Sequence, residues 1–417
     1  VRREFEHVGL GYVLRVPDLM TELTVDRMAR TRGELHGELA VVCGLPGTRS
    51  RDGHIHQARF NLTSTQARGT VAKVLARRSG AGDVDWEDLL EDLCRRVLAA
   101  EREGEPVQKV GALPVPVRET YRLDPLLPER QVSILYGDGG TGKSTLAAAM
   151  AVSIQTGAVV VEGWAPRKAP VLYLDWEAGA ASINRRVRGV AVGAHIPHVV
   201  TIDHMDCRRR GPLHHFAEDV ARLVDREGYG LVVVDSVGMA SGTSGEGGDA
   251  NETAIRLFAA FGYLGTTVLA IDHVNKSDAE QTNRTTRPYG SIYKGLLARA
   301  LYELRRSKTP DGASVVGLYN TKANDADLLA PIALRVCHGD DGTIAYERRE
   351  GMPLELTGPM TQADKLAAYL EGERLTDVQL ADLTGLPANQ VRAILNRHKR
   401  RFNRLPTGAW EVLSHAS

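Results

Sequence analysis

One short segment constrains the fold of this chain more than any other: Gly137-Asp138-Gly139-Gly140-Thr141-Gly142-Lys143-Ser144-Thr145. It has the form G-x-x-x-x-G-K-S, follows the apolar run Val132-Ser133-Ile134-Leu135-Tyr136 and opens the helix-forming stretch Leu146-Ala147-Ala148-Ala149-Met150. Between a strand and a helix, such glycines let backbone N–H groups turn inward around the β- and γ-phosphates of a nucleotide. Lys143 then reaches those phosphates, and the Ser144 hydroxyl is placed to ligate Mg²⁺ beside a helix N-terminus whose dipole favours anions. A chance glycine-rich turn would carry neither the strand before nor the helix after.

Around that loop, 417 residues leave room for two or three domains and a large core. Hydrophobic residues make up 43% and charged residues 25%, the balance of an ordinary globular protein. Lys+Arg and Asp+Glu stand at 52 each, so no global field draws the chain to nucleic acid or to an anionic membrane. Any polyanion site must be a local patch. Cys43, Cys94, Cys207 and Cys337 form no C-x-x-C pair, which argues for reduced thiols and against a zinc site. With no signal segment and no long uncharged apolar run, the expectation is a cytoplasmic protein that does not cross a membrane.

Pattern divides the chain. Residues 1–107 carry a β-like start (Gly11 to Val16), a hairpin or loop around Gly44 to His56 and two helical stretches, a small N-terminal α+β domain. Residues 108–130 contain Leu113-Pro114-Val115-Pro116-Val117 and read as a semi-rigid linker. Over 131–350, short continuous apolar runs such as Val171 to Leu174, Leu231 to Val234 and Thr267 to Ile271 alternate with helical stretches, as buried strands of a parallel sheet do. After a second linker at 351–360, residues 361–417 read as a helix, a helix-turn-helix and a β-wing.

Hydrolysis of a bound nucleotide requires a magnesium-associated carboxylate and a group to orient water. Asp235, closing Leu231-Val232-Val233-Val234, is placed for the first task, the alternative being an Asp that only caps the next turn. Glu177 ends the run Val171 to Glu177, the strand expected beside the phosphate-loop strand, with Asp175 on the same face by period-2 alternation.

Tyr173-Leu174-Asp175-Trp176-Glu177, followed by the basic helix Ser182 to Val187, resembles the corresponding segment of RepA-type hexameric helicases and their phage and actinobacterial relatives. The resemblance continues through Ile271-Asp272-His273-Val274-Asn275-Lys276, through Tyr289 to Tyr293 with Ala298-Arg299, and through Tyr319 to Asn324, and covers roughly 131–349. It implies a RecA-like P-loop ATPase using ATP and Mg²⁺, with Glu177 as general base and Asp175 as fallback. It also implies that His273 senses the γ-phosphate and links it to a DNA-contacting loop. Arg299 and Lys322 become candidates for cations reaching a neighbouring subunit's γ-phosphate in a homo-hexamer or other ring. A surface ion pair is the alternative for either.

Two regions are expected to meet DNA. The polar stretch from Lys276 to Pro288 offers Lys276, Arg284 and Arg287 to a single strand in a ring channel, and Gly238 to Gly248 is a second loop by composition. In the tail, Arg392, Arg397, Lys399 and Arg400 gather with no acidic residue from Ala388 to Arg404, a local basic patch for duplex DNA or, alternatively, a protein-contact face. The fold expected is therefore α/β, a RecA-like P-loop NTPase core with a small N-terminal α+β domain and a C-terminal winged helix-turn-helix. The function expected is an ATP-dependent DNA helicase or translocase in replication. A recombination ATPase that does not unwind and an ATP-switched DNA-binding regulator are the alternatives.

Overall fold

A computed structural model describes the chain apart from residues 81–83, 105–106, 108, 112–119, 243–248, 275–287, 289, 309–313, 354–355, 357–361, 371–373, 385, 400–401 and 413–417. The chain forms two compact units, one of 1–118 with 216–228 and 262–265, the other of the remaining residues.

In the first unit, β1 (Glu4–Val8), β2 (Gly11–Val16), β3 (Thr21–Thr31), β4 (Glu34–Cys43) and β5 (His54–Asn61) form an antiparallel meander in sequence order. Strict alternation makes the sheet one-sided: Leu35, Leu39, Val41 and Cys43 of β4 point inward, with Leu23 and Val25 of β3. Helices α1 (Thr65–Ser79) and α2 (Trp86–Glu103) contribute Leu75, Trp86, Leu90, Leu93 and Val97 to the same core. Asp85 caps α2 by accepting from the Asp88 N–H, and Glu87 and Asp88 suit the dipole of its first turn. The loop expected around Gly44 to His56 thus connects two long strands.

The second unit begins earlier than the linker reading allows. Strands β6 (Tyr121–Asp124) and β7 (Leu127–Pro128) pair with each other, and Leu123, Leu126 and Leu127 are fully buried in the main core. Burial of those three leucines makes this stretch part of the domain and not a spacer. Next come β8 (Val132–Gly137), α3 (Lys143–Thr156), β9 (Ala165–Pro166), β10 (Val171–Asp175), α4 (Ala180–Gly193) and β11 (Asp203–Asp206). After α5 (Ala217–Glu227), which groups with the first unit, follow β12 (Leu231–Asp235), α6 (Val237–Ser241), α7 (Ala250–Tyr263), β13 (Thr267–His273) and α8 (Ile292–Leu297). Four strands, β14 (Ala300–Lys308), β15 (Ser314–Ala323), β16 (Ile332–His338) and β17 (Ile344–Arg349), complete the large sheet.

That sheet has nine strands in the order β11-β10-β12-β13-β8-β14-β15-β16-β17. From β11 to β14 all neighbours are parallel, and from β14 onward they are antiparallel. The strand that delivers Glu177 is therefore not beside the phosphate-loop strand; β12 and β13 lie between them. Parallel strands need crossovers, so neighbours in sequence need not be neighbours in the sheet. Helix α3 is apolar all round and buried from Leu146 to Ile154, which identifies it as the central core helix of this unit. Parallel pairing sets the C-terminal ends of β8, β10, β12 and β13 along one edge, where Asp175 pairs with Asp235 and His273 with Gly137.

The last part of the chain folds as α9 (Gln362–Tyr369), β18 (Leu375–Thr376), α10 (Asp377–Thr384), α11 (Ala388–Arg397), β19 (Phe402–Arg404) and β20 (Ala409–Val412). The strands form a three-stranded antiparallel sheet in the order β18-β20-β19. Leu366, Leu380, Val391, Leu395, Phe402 and Trp410 make its own small core.

Candidate active site

The phosphate loop is shaped by close approach as much as by turn geometry. A Cβ on Gly137 would collide with the Leu304 carbonyl oxygen of β14, and Gly142, at φ +95°, turns the chain directly into α3. Lys143 is 6% exposed and folds over its own loop, its Nζ donating to the carbonyls of Gly137 and Asp138 at 2.8 Å each. Burial lowers its pKa, against the opposing charges of Asp235, Asp138, Glu177 and Asp272. Thr141 Oγ1 donates to the Asp138 carbonyl at 2.9 Å and closes the turn through Gly139 and Gly140.

Gly140 to Leu146, including Ser144 and Thr145, line a cleft of about 350 Å³ together with Glu177, Arg186, Asp235 and His273. Strands β14 to β17 add Leu304, Val316, Val336 and Tyr346 to the lining, beside the polar Arg306, Ser314 and His338. A cation-lined phosphate loop beside apolar side chains suits a nucleoside triphosphate.

Asp235 is 2% exposed and accepts from the Tyr173 hydroxyl at 2.7 Å. Burial raises its pKa, opposed by Tyr173 and by a hydrogen bond from Ser144. A buried carboxylate in contact with a serine hydroxyl is an oxygen pair suited to Mg²⁺, which takes one or two protein oxygens and completes its shell with water and phosphate. Among the described residues there is no cluster of three or more His, Cys, Asp or Glu side chains for a fully protein-ligated metal. The residues present therefore fit Mg²⁺ brought by a nucleotide.

Glu177 stands in the turn after β10, its carboxylate accepting from the Ser236 hydroxyl and lying 3.9 Å from His273 Nε2. His273 is the main influence holding the Glu177 carboxyl below the usual value; burial opposes it, and Ser236 and Lys143 reinforce it. An ionised, half-exposed carboxylate at the mouth of a phosphate cleft is equipped to take a proton from water. Asp175, the fallback, is engaged elsewhere. It is fully buried, accepts from the backbone N–H groups of Glu177, Ala178 and Gly179 at 2.9, 2.8 and 2.6 Å, and pairs with His204 Nε2 at 3.0 Å. Burial pushes its pKa up, but His204 and those N–H groups outweigh it and hold the carboxyl low. Asp175 builds the turn that carries Glu177.

The expected trans-acting cations fare differently. Lys322 Nζ donates to the carbonyls of Gly295, Leu296 and Ala298 at 2.8, 2.7 and 2.6 Å. An ammonium has three donors, and all three here cap the C-terminal end of α8 in its own chain, which removes it from the set offered to a neighbour. Arg299 bonds Gln131 Oε1 at 3.2 Å and lies 3.6 Å from Asp325, with its side chain 42% exposed. Neither residue lines the phosphate cleft of its own chain.

Sequence reasoning missed three contributors. Ser236 follows Asp235 directly, and its hydroxyl holds Glu177. Arg306 bridges the walls of the cleft, donating to the Gly140 carbonyl at 3.0 Å and to Ser314 Oγ at 2.7 Å. Arg186, on α4, lines the cleft with a buried Nη1 that has no hydrogen-bond partner among the described residues. A buried unsatisfied guanidinium nitrogen facing a phosphate site calls for an anion. Its place in the basic stretch after Glu177 was the available signal.

Of the residues expected to meet DNA, Lys276, Arg284, Arg287 and Arg400 lie outside the described residues. Arg397 and Lys399 are exposed at the end of α11 and in the turn beyond it. Arg392 is instead committed to Asp377, a 5% exposed residue at the start of α10, through both Nε and Nη2. Its exposed position on α11 concealed a partner on another helix.

Residues 99–279 match the profile of the family described as AAA domain, a span that includes the phosphate loop, Glu177, Asp235 and His273. No curated protein matches the chain. Among solved structures the chain is similar to a KaiC-like protein from the hyperthermophilic archaeon Pyrococcus horikoshii OT3, at 15% identity over 56% of this chain and 100% of that one, with a TM-score of 0.38. The phosphate loop, the two acidic strand ends and the parallel sheet that aligns them are the parts of a nucleotide-binding α/β domain, similar over residues 99–279 to the AAA-domain family.

Proposed function

We propose that the chain is a nucleic-acid-dependent ATPase of RepA type that moves along single-stranded DNA as a ring, in the manner of a replicative helicase or translocase. The observation that carries this reading is the convergence of Lys143, Ser144, Asp235, Glu177 and His273 on one cleft at the C-terminal ends of parallel strands. Mg²⁺ held by Ser144 and Asp235 would neutralise charge developing on the phosphates. Lys143 and Arg186 bind the phosphate oxygens, and the side chains of Val316 and Tyr346 receive the base. Glu177 takes the proton of the attacking water, with Ser236 and His273 holding its carboxylate in place. His273 then exchanges partners as the γ-phosphate leaves, and the chain running on from it through Lys276, Arg284 and Arg287 contacts the strand. Arg299 is the cation offered to the adjoining subunit's site.

In this reading α9, α10, α11 and the sheet of β18, β19 and β20 form a winged helix-turn-helix that grips duplex DNA through Arg397 and Lys399. A second reading, an ATP-switched DNA-binding regulator, is favoured by the exposed amides Asn389, Gln390 and Asn396 on α11, side chains able to read base edges. ATP hydrolysis with and without single-stranded DNA, beside strand displacement on a forked duplex, separates the two. Stimulation with displacement is expected. Hydrolysis indifferent to single strands, with ATP-dependent binding to one duplex sequence, would favour the regulator.

A further inference from the structure

The turn after β11 carries Arg208, Arg209 and Arg210 in succession, all exposed. Arg208 pairs with Asp206, Nη2 to Oδ2 at 2.5 Å, while the Arg209 side chain has no ion-pair or hydrogen-bond partner among the described residues. The turn is net positive in a chain whose charges sum to zero.

It is also fastened to the segment that delivers the general base. Cys207 N–H donates to the Asp175 carbonyl at 2.8 Å, and the Trp176 indole N–H donates to the Gly211 carbonyl at 3.0 Å. Arg208 lies over the Glu177 turn, so close that a Cβ on Gly179 would sit 3.3 Å from its Nη1. The two residues flanking the arginines are thus bonded to the two residues preceding Glu177. Trp176 is 4% exposed and Cys207 is fully buried, so these ties run through packed structure.

Because β11 runs parallel to β10, the arginine turn lies on the same sheet edge as the ends of β12 and β13. A strand crossing that edge can meet the Arg209 guanidinium, whose fork matches phosphate oxygens in pairs. We infer that the Cys207–Gly211 turn is a contact for single-stranded nucleic acid whose occupancy is passed to Glu177 through Trp176. The inference rests on the proposed nucleic-acid-dependent ATPase and names the surface by which the nucleic acid acts on hydrolysis.

Full-length protein is compared with Arg209→Ala and Trp176→Phe, using an oligo-dT probe for binding and steady-state ATP hydrolysis for coupling. Arg209→Ala should keep basal hydrolysis, weaken oligo-dT binding and lower the slope of log affinity against log salt by about 0.7, the share of one phosphate contact. Trp176→Phe removes the indole donor together with the pyrrole ring, so an unchanged unfolding transition is required before its coupling is read. The variant should bind the ATP analogue and oligo-dT as before, yet lose about fivefold in DNA stimulation, roughly what one neutral hydrogen bond is worth. No stimulation of the wild-type protein would defeat the proposed function itself. Stimulation that persists unchanged in both variants would leave that function standing and overturn this inference. Competition by polyglutamate as strong as that by oligo-dT would assign the turn to an acidic protein and overturn the nucleic-acid assignment.

Discussion

The Glu177 carboxylate is held by groups from separate strands, Ser236 after β12 and His273 at the end of β13, while Asp175 shapes the turn beneath it. Its pKa lies below the usual value, so the proposed base is ionised at neutral pH and activity should fall on the acid side, as the carboxylate takes up a proton. Ser236→Ala removes one cause of that depression. The Glu177 pKa should then rise, and the acid limb of kcat/KM should move to higher pH. A pH–rate profile checks this; an unmoved limb would mean that Ser236 does not act on the base. Lys143→Ala deletes the loop's own side-chain cation and should weaken ATP binding roughly 10- to 100-fold, read with a fluorescent ATP analogue. Retained affinity would separate Lys143 from the phosphates.

At the scale of elements, the pairing of Asp377 with Arg392 ties the start of α10 to α11. Arg392→Ala leaves a buried carboxylate unpaired and should destabilise the C-terminal helices by about 1–3 kcal/mol, measured as an earlier unfolding transition. Arg397→Ala should leave that transition in place and weaken duplex binding. The reverse pattern would return Arg392 to the DNA-contact set. Arg392 also illustrates what a linear pattern conceals: its charge and helical position were legible, its partner fifteen residues earlier was not. The same holds for Lys322, whose three acceptors are carbonyls of α8, and for β10, whose place in the sheet depends on crossovers. Features set by local pattern were readable. The phosphate loop, the buried runs of β10, β12 and β13, and the acids at their ends stand where periodicity and motif place them. The alternation of Leu35, Leu39, Val41 and Cys43 was equally regular, yet interspersed glutamates and a histidine obscured the five-stranded sheet.

Over the whole molecule, charge neutrality confines any polyanion contact to a local patch, and the Arg208–Arg210 turn and the end of α11 are the ones proposed. Among the described residues, no helix is long and apolar enough to cross a membrane. The proposed ring predicts that the chain sizes as an oligomer with a non-hydrolysable ATP analogue and single-stranded DNA; a monomer under those conditions would remove the role given to Arg299. The most direct test of the cleft is ATP turnover by Glu177→Gln measured beside its nucleotide affinity. The amide keeps the shape of the side chain but cannot take a proton from water. ATP should therefore bind as in the wild type while kcat falls by roughly 10²- to 10⁴-fold. Turnover at the wild-type rate in Glu177→Gln, with Asp175→Asn inactive, would contradict the account.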